Sequence, residues 1–131
     1  MSDTLELRIY YEDTDAQGVV FYANYLKYFE RARTEFLRKC GYLQNELLAK
    51  NIIFIDIHYK KPILLDQLIK VESSLSEVKK ASFSFNQRVV INSEIMCEAN
   101  VLCGCVDLKT KKPTALPEDL RQRMLDKKNA S

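Results

Sequence analysis

No apolar run in this chain approaches the roughly 20 residues that a bilayer-spanning helix needs. The start, Met1-Ser2-Asp3-Thr4, lacks a basic region followed by an apolar one. No secretory leader is therefore expected, and the protein is expected to stay in the cytoplasm. An excess of one charge is also missing, since 20 Lys and Arg stand against 18 Asp and Glu, a net +2. So even a balance argues against a nucleic-acid binder, which shows a strongly basic face. Histidine is reduced to one residue, and the four cysteines at 40, 97, 103 and 105 form no Cys-x-x-Cys. Only Cys103 and Cys105 are close, around Gly104. Their spacing suggests no zinc site, so no metal is expected and no cofactor either. Reduced thiols packed as small hydrophobes in a cytosolic core are the expectation.

Linkers, repeats and low-complexity tracts are absent too, and 131 residues suit one domain spanning 1–131. Hydrophobic residues at 47% and charged residues at 29% are the balance of a globular protein. A chain this short buries a core but does not easily enclose a deep pocket as well. A site shared between subunits is the consequence.

What is present is a change of period along the chain. Residues 5–12 alternate Leu5, Leu7, Ile9 and Tyr11 against Glu6, Arg8, Tyr10 and Glu12, the pattern of a half-buried strand. A turn-rich segment follows at 13–18. From about Ala23 to Cys40, Tyr25, Phe29, Ala32, Phe36 and Cys40 recur at spacings of four, three, four and four, one helical stripe without Gly or Pro. Asn24 is a candidate N-cap, Gly41 a C′ residue, and Arg31 and Glu35 can pair one turn apart. A short helical stretch is expected over 43–49. Next, IIFIDIHYKK puts Ile53, Ile55, Ile57 and Tyr59 on one face and Phe54, Asp56, His58 and Lys60 on the other, with Pro62 closing the strand. Strands over 67–78 and 81–92 flank a Lys79-Lys80 turn. A last strand over 94–108 presents Ala99, Val101, Cys103 and Cys105. Pro117 then reads as the N1 residue of a tail helix with Leu120 and Met124 inward.

The economical fold is α+β: a five-stranded antiparallel sheet wrapped around one long central helix, with a short C-terminal helix. One helix covers only one sheet face, so the other points to dimers or tetramers.

Only residues 10–33, YYEDTDAQGVVFYANYLKYFERAR, look over-specified for packing. Acids at 12, 13 and 15 end a strand just before a helix, with Gly18 between. A carboxylate is thereby placed near the unpaired N–H groups that open a helix, where an oxyanion can be held. A carboxylate there can attack a carbonyl or activate a water. Acidic turns also precede helices simply because they stabilise the N-terminus, and on the residues alone both readings stand.

The segment Asp13-Thr14-Asp15-Ala16-Gln17-Gly18-Val19-Val20-Phe21-Tyr22-Ala23-Asn24-Tyr25, continuing as Phe29-Glu30-Arg31-Ala32-Arg33, resembles the signature of the 4-hydroxybenzoyl-CoA thioesterase family. It is especially similar to the YbgC-like (Tol–Pal-associated) acyl-CoA thioesterase branch. Tyr59-x-x-Pro62-x-x-Leu65-Asp66 and the run from Lys112-Pro113 to Leu116-Pro117 resemble later family blocks, so the likeness spans about residues 6–120. The resemblance implies a hotdog fold and hydrolysis of acyl-CoA, aliphatic or aroyl, in lipid metabolism.

By the same resemblance Asp15 matches the catalytic aspartate, and Asp13 a structural acid. The position of Tyr22 supplies the backbone N–H that polarises the thioester carbonyl, and Gly18 permits close approach of chain to substrate. Val20, Phe21 and Tyr25 of the same block are expected at the substrate. Tyr22 stands where many YbgC-like members carry histidine and the 4-hydroxybenzoyl-CoA enzymes carry tyrosine, so no histidine assists there. His58, beside Asp56 on a strand, falls outside the motif and is expected at a surface or interface. Its placement argues against the dehydratase chemistry of other hotdog proteins. Glu30, Arg31 and Arg33 are expected to hold the helix against the sheet or a partner.

CoA phosphates call for cations, and Lys60, Lys61, Arg88, Lys109, Lys111 and Lys112 are the candidates. In related enzymes such residues come from neighbouring subunits, and a homotetramer, a dimer of dimers, is expected. An acyl carrier protein is the alternative substrate carrier. The alternative function is a non-catalytic scaffold that binds acyl thioesters or acyl carrier protein in envelope or lipid metabolism.

Overall fold

A computed structural model describes residues 3–42 and 48–130, with 48–51 as backbone only. The chain runs β1 (Asp3–Arg8), α1 (Asn24–Lys39), β2 (Leu48–Tyr59), β3 (Leu68–Val78), β4 (Ser82–Ile91), β5 (Glu94–Asp107) and α2 (Glu118–Asn129). The strands form one antiparallel sheet in the order β1-β3-β4-β5-β2, leaving β1 and β2 as edges. This is the α+β hotdog arrangement expected. The helical stretch expected over 43–49 lies outside the described residues for 43–47, while Leu48 and Ala49 already belong to β2.

The stripe of α1 packs onto the sheet as its spacing requires. Tyr25, Phe29, Ala32, Phe36 and Cys40 are all buried, joined by Tyr28, Arg33 and Leu37. Opposite them, β3 contributes Ile69, Val71 and Leu75, β4 contributes Phe83, Phe85 and Val89, and β5 contributes Cys97, Ala99, Val101, Cys103 and Cys105. Phe36 meets Phe85 edge-on, ring centroids 5.0 Å apart. Gly41 does end α1 in the left-handed conformation, φ +89°. Tyr42 N–H donates to the Leu37 carbonyl and Gly41 N–H to that of Arg38, a Schellman closure. The Arg123 guanidinium of α2 also donates to the Cys40 carbonyl, and Leu120 and Met124 are buried. Pro117 stands at the N-cap of α2 rather than N1.

Three local departures have physical causes. The strand expected over 5–12 stops at Arg8, because Tyr11–Asp13 tighten into a 3-10 turn closed by the Asp13 carboxylate. In β2 the register slips between Ile52 and Phe54, and this bulge turns Ile53 outward at 61% exposure, while Ile55 and Ile57 stay half-buried. Ile53 then lies over Gly104, where a Cβ would meet its Cδ1 at 2.9 Å. Glu35 pairs with Arg38, at 3.5 Å, rather than with Arg31.

The outer sheet face, from which dimers or tetramers were expected, is largely polar. One rung crosses it as His58, Glu98, Arg88 and Glu72, and a second as Asp56, Asn100, Asn86 and Ser74. His58 is exposed, and its Nε2 lies 3.1 Å from Asp56 Oδ2. Among the described residues no helix is long and apolar enough to cross a membrane, and no three His, Cys, Asp or Glu gather to hold a metal.

Inside, Arg33 is only 2% exposed and fastens α1 to the sheet. Its Nη1 donates to Gln87 Oε1 at 3.0 Å, and Gln87 Nε2 donates to the Phe29 carbonyl and to Ser73 Oγ, each at 2.9 Å. Burial lowers the guanidinium pKa, opposed by Cys103 and Glu30 nearby. Replacing Gln87 by Leu strips that cation of its acceptor, so Gln87→Leu is expected to cost about 3–5 kcal/mol in urea unfolding. Arg33→Met in addition should recover most of the loss, since a buried polar network is worst when half removed.

Candidate active site

Two long-range contacts bend the segment between β1 and α1 into place. Ile9 N–H donates to the Gln67 carbonyl at 3.0 Å and Asp66 N–H to the Ile9 carbonyl at 3.1 Å, which fixes the exit of β1. The chain then turns on Asp13, whose Oδ2 accepts the Tyr10 N–H at 2.8 Å. Asp13 is thus a capping acid. Its carbonyl accepts the Phe21 N–H at 3.1 Å and the Asn24 side-chain amide at 2.8 Å.

Between those ties lies a small hairpin. Asp15 N–H donates to the Val19 carbonyl at 2.9 Å, Thr14 bridges Val20, and Gly18 N–H closes the turn on the Asp15 carbonyl at 3.1 Å. Gly18 makes the turn possible with φ +78°. The hairpin docks on the 63–65 segment through Val20 N–H to the Ile63 carbonyl, 2.8 Å, and Leu65 N–H to the Gly18 carbonyl, 3.3 Å. Asp15 is exposed, and its Oδ1 accepts the Gln17 N–H at 2.8 Å. It sits two pairs from the Asp13–Phe21 pair, about 7 Å along the hairpin.

Asn24 does not cap α1, contrary to expectation. The helix opens with tight i→i−3 bonds, Asn24 N–H to Phe21, Tyr25 N–H to Tyr22 and Leu26 N–H to Ala23. The first-turn donors are thereby used, and no side-chain acceptor is needed. The N–H groups of Tyr22 and Ala23 find no backbone acceptor among the described residues. The free donors therefore lie just ahead of the helix, with Ala23 already helical at φ −68° and ψ −21°. Through Phe21 and Asn24 the Asp13 carbonyl ties the hairpin that carries Asp15 to the start of α1, beside these two amides.

The other expected site residues divide by burial. Val20 and Tyr25 are buried and belong to the core, so neither presents a face to a ligand in the single chain. Burial, with Cys97 adding, pushes the Tyr25 hydroxyl to about 12. Phe21 and Tyr22 are exposed, Tyr22 by 63%, with centroids 4.8 Å apart. Tyr59 extends this apolar lip, its ring edge-on to Tyr22, and Leu26, Leu64 and Leu65 are exposed as well. Tyr59 was not among the site residues expected from sequence. Its hydroxyl donates to the Tyr22 carbonyl at 3.1 Å, a contact between positions 37 apart that no local pattern shows. Tyr28 is buried behind the loop, and its hydroxyl has no partner within hydrogen-bonding geometry. Burial first, then the Asp13 carboxylate, raises its pKa.

The expected cations are mostly engaged or distant. Lys60 meets Glu98 at 2.7 Å, Arg88 meets Glu72 at 2.7 Å, and Lys61 pairs with Glu94. Lys60, ahead of His58 and Arg88, holds the Glu98 carboxyl below its usual range. Lys60 and Lys61 follow Tyr59 directly and flank the lip. Arg88 instead lines a concavity of about 520 Å³ on the outer sheet face, with Lys70, Glu72 and Val90, that contains none of the loop residues. Lys109 lies beyond the end of β5. Ten residues separate Asp107 from Cys97, the partner of Tyr59, about 33 Å along a strand. Lys109 therefore cannot serve this loop within one chain. Lys111 and Lys112 share that remote turn, where Asp107 accepts the Lys109 and Thr110 N–H groups.

The thioesterase-like superfamily model matches residues 10–124. The chain is 43% identical over 120 residues to an acyl-CoA thioesterase, YbgC, of Haemophilus influenzae, covering 88% of each chain. It is 40% identical over 120 residues to an acyl-CoA thioester hydrolase, YbgC, of Escherichia coli, covering 87% of this chain and 89% of the relative. Among solved structures, a probable thioesterase from Bartonella henselae superposes with a TM-score of 0.85 at 29% identity, over 89% of this chain and all of that one.

A Cβ added at Gly18 meets no atom within 4 Å, so substitution there is penalised by backbone conformation alone. Gly18→Ala is expected to lower unfolding stability by about 1–2 kcal/mol, and Gly18→Asn by less, because Asn tolerates the left-handed region. Chemical denaturation of the two variants beside the wild type checks the order.

Proposed function

The chain belongs to the thioesterase-like superfamily, in its YbgC acyl-CoA thioesterase branch, and from that premise we propose that Asp15 drives hydrolysis of an acyl-CoA thioester whose carbonyl rests on the Tyr22 N–H. The observation that carries this reading is the Asp13 carbonyl, which joins the hairpin carrying Asp15 to the helix start beside the two amides. Donors fixed where negative charge develops lower the barrier without reorganisation, and one such donor is worth about 10²–10³ in rate.

Two routes fit this equipment. In the first, an Asp15 oxygen bonds to the thioester carbon, the C–S bond breaks, and CoA leaves as thiolate and takes a proton from water. Water then hydrolyses the mixed anhydride, releasing the acid and restoring the carboxylate. In the second, Asp15 removes a proton from a water that attacks the same carbon; the C–S bond then breaks, and the departing CoA thiolate takes that proton, which restores the carboxylate. Tyr22 offers only its backbone donor in either route.

The acyl group, aliphatic or aroyl, would lie along Phe21, Tyr22 and Tyr59. This lip is open in the single chain, and a second copy would close it. The β2 edge supports such pairing, because it exposes Ile52, Ile53 and Phe54 beside unpaired backbone groups. A homotetramer assembled from such dimers completes the reading. Cytoplasmic residence suits four cysteines that are all buried and free. Acyl carrier protein is the alternative carrier; Lys60 and Lys61, which would meet the phosphate of either, hold glutamates in the single chain.

A panel of aliphatic and aroyl CoA thioesters tests this, with the released CoA thiol followed by a colorimetric reagent. At least one substrate should turn over, and Asp15→Asn should fold and assemble like the wild type while kcat falls at least about 10³-fold. Full activity in that variant would remove Asp15 from the chemistry. Because burial raises the Cys97 thiol to about 12 and also raises Cys40 and Cys105, the folded enzyme should add little background to the thiol assay.

A further inference from the structure

The 59–63 segment grips the loop at two points. The Ile63 carbonyl takes the Val20 N–H, and the Tyr59 hydroxyl reaches the Tyr22 carbonyl at 3.1 Å. The second contact acts on a particular peptide, whose oxygen also accepts the Tyr25 N–H at the longer distance of 3.3 Å. The carbonyl of Tyr22 and the N–H of Ala23 are the two ends of one planar amide, so a donor on the oxygen fixes the plane in which that N–H lies. It also polarises the amide, which makes the N–H a stronger donor. The preceding amide is treated alike, since the Phe21 carbonyl accepts the Asn24 N–H at 2.9 Å and its other end is the Tyr22 N–H. With Ala23 helical, the two N–H groups stand side by side ahead of α1.

We propose that Tyr59 is a positioning residue whose hydroxyl holds the Tyr22 carbonyl so that the Ala23 N–H joins the Tyr22 N–H as a second donor to the thioester oxygen. This rests on the reading of Asp15 and Tyr22 given above. Tyr59 suits the task because its ring is separately held. It lies 5.1 Å from the Tyr25 ring and edge-on to Tyr22 at 6.2 Å, and its backbone is paired with Cys97 at the end of β2. Burial, with Cys97 and Tyr22 adding, raises its pKa, so the hydroxyl remains a donor at neutral pH.

Tyr59→Phe removes the hydroxyl and keeps the ring. With the best substrate of the CoA panel, kcat should fall about five- to tenfold while KM changes less than about twofold, the loss of one hydrogen bond expressed in the transition state. A spectroscopic arm separates positioning from packing. The same substrate, carrying ¹³C at its carbonyl, is bound to Asp15→Asn and to Asp15→Asn/Tyr59→Phe, and its carbonyl stretch is recorded by difference infrared spectroscopy. The downward shift on binding should be smaller in the double variant. An unchanged stretch, or a kcat equal to wild type beside an inactive Asp15→Asn, overturns the role of Tyr59 and leaves the active-site reading standing. A fully active Asp15→Asn overturns that reading, and this inference with it.

Discussion

The carbonyl oxygen of Asp13 accepts two hydrogen bonds, from the Phe21 backbone and from the Asn24 side chain, and the site is organised around that atom. One bond closes the hairpin that carries Asp15, and the other ties the hairpin to the first residue of α1. Asp13 can serve this way because its own carboxylate is turned back to the Tyr10 N–H, which fixes the peptide from the other side. Asp13 thus has its carboxylate and its backbone carbonyl both engaged in holding the loop.

The fold supplies rigidity behind this arrangement. Arg33 and Gln87 lock α1 against β3 and β4 through a buried polar network, and the aromatic pair Phe36 and Phe85 packs the same interface further along. Tyr25 and Tyr59 back the loop from the opposite side. The helix start is consequently held from the core, from the hairpin and from the end of β2. Lateral displacement of the free amides would break contacts in all three. Such rigidity is what a preorganised oxyanion site needs, because donors that must reorient during reaction lose much of their value.

Local signals in the sequence translated faithfully where one periodicity or one residue decides the structure. The stripe from Tyr25 to Cys40, the left-handed Gly41, the Lys79-Lys80 turn and the inward Leu120 and Met124 are of this kind. The acidic loop was legible through its motif, and the capping of Tyr10 by Asp13 agrees with a structural role for that acid. Contacts that depend on distant strands were not legible. A polar residue before a helical stripe reads as an N-cap, yet Asn24 is recruited by a carbonyl eleven residues earlier once the 3-10 start has used the local donors. Alternation in β2 fails at Ile53 because a bulge is set by the pairing with β5. Lys109 and Tyr59 show the same limit in opposite directions. Strand register places one far from the loop and brings the other onto it.

The account is tested most directly by cutting the Asn24 tie and leaving every proposed reacting group in place. In Asn24→Ala the Asp13 carbonyl loses one of its two donors and keeps the Phe21 N–H, so the tie between the Asp15 hairpin and the start of α1 is loosened. Stability should fall only about 1 kcal/mol, the usual worth of one such bond. Turnover of the best acyl-CoA substrate should fall at least about tenfold, because small misplacements of reacting groups are costly in rate. Wild-type turnover in a folded Asn24→Ala protein would contradict the claim that acid and amides work as one unit.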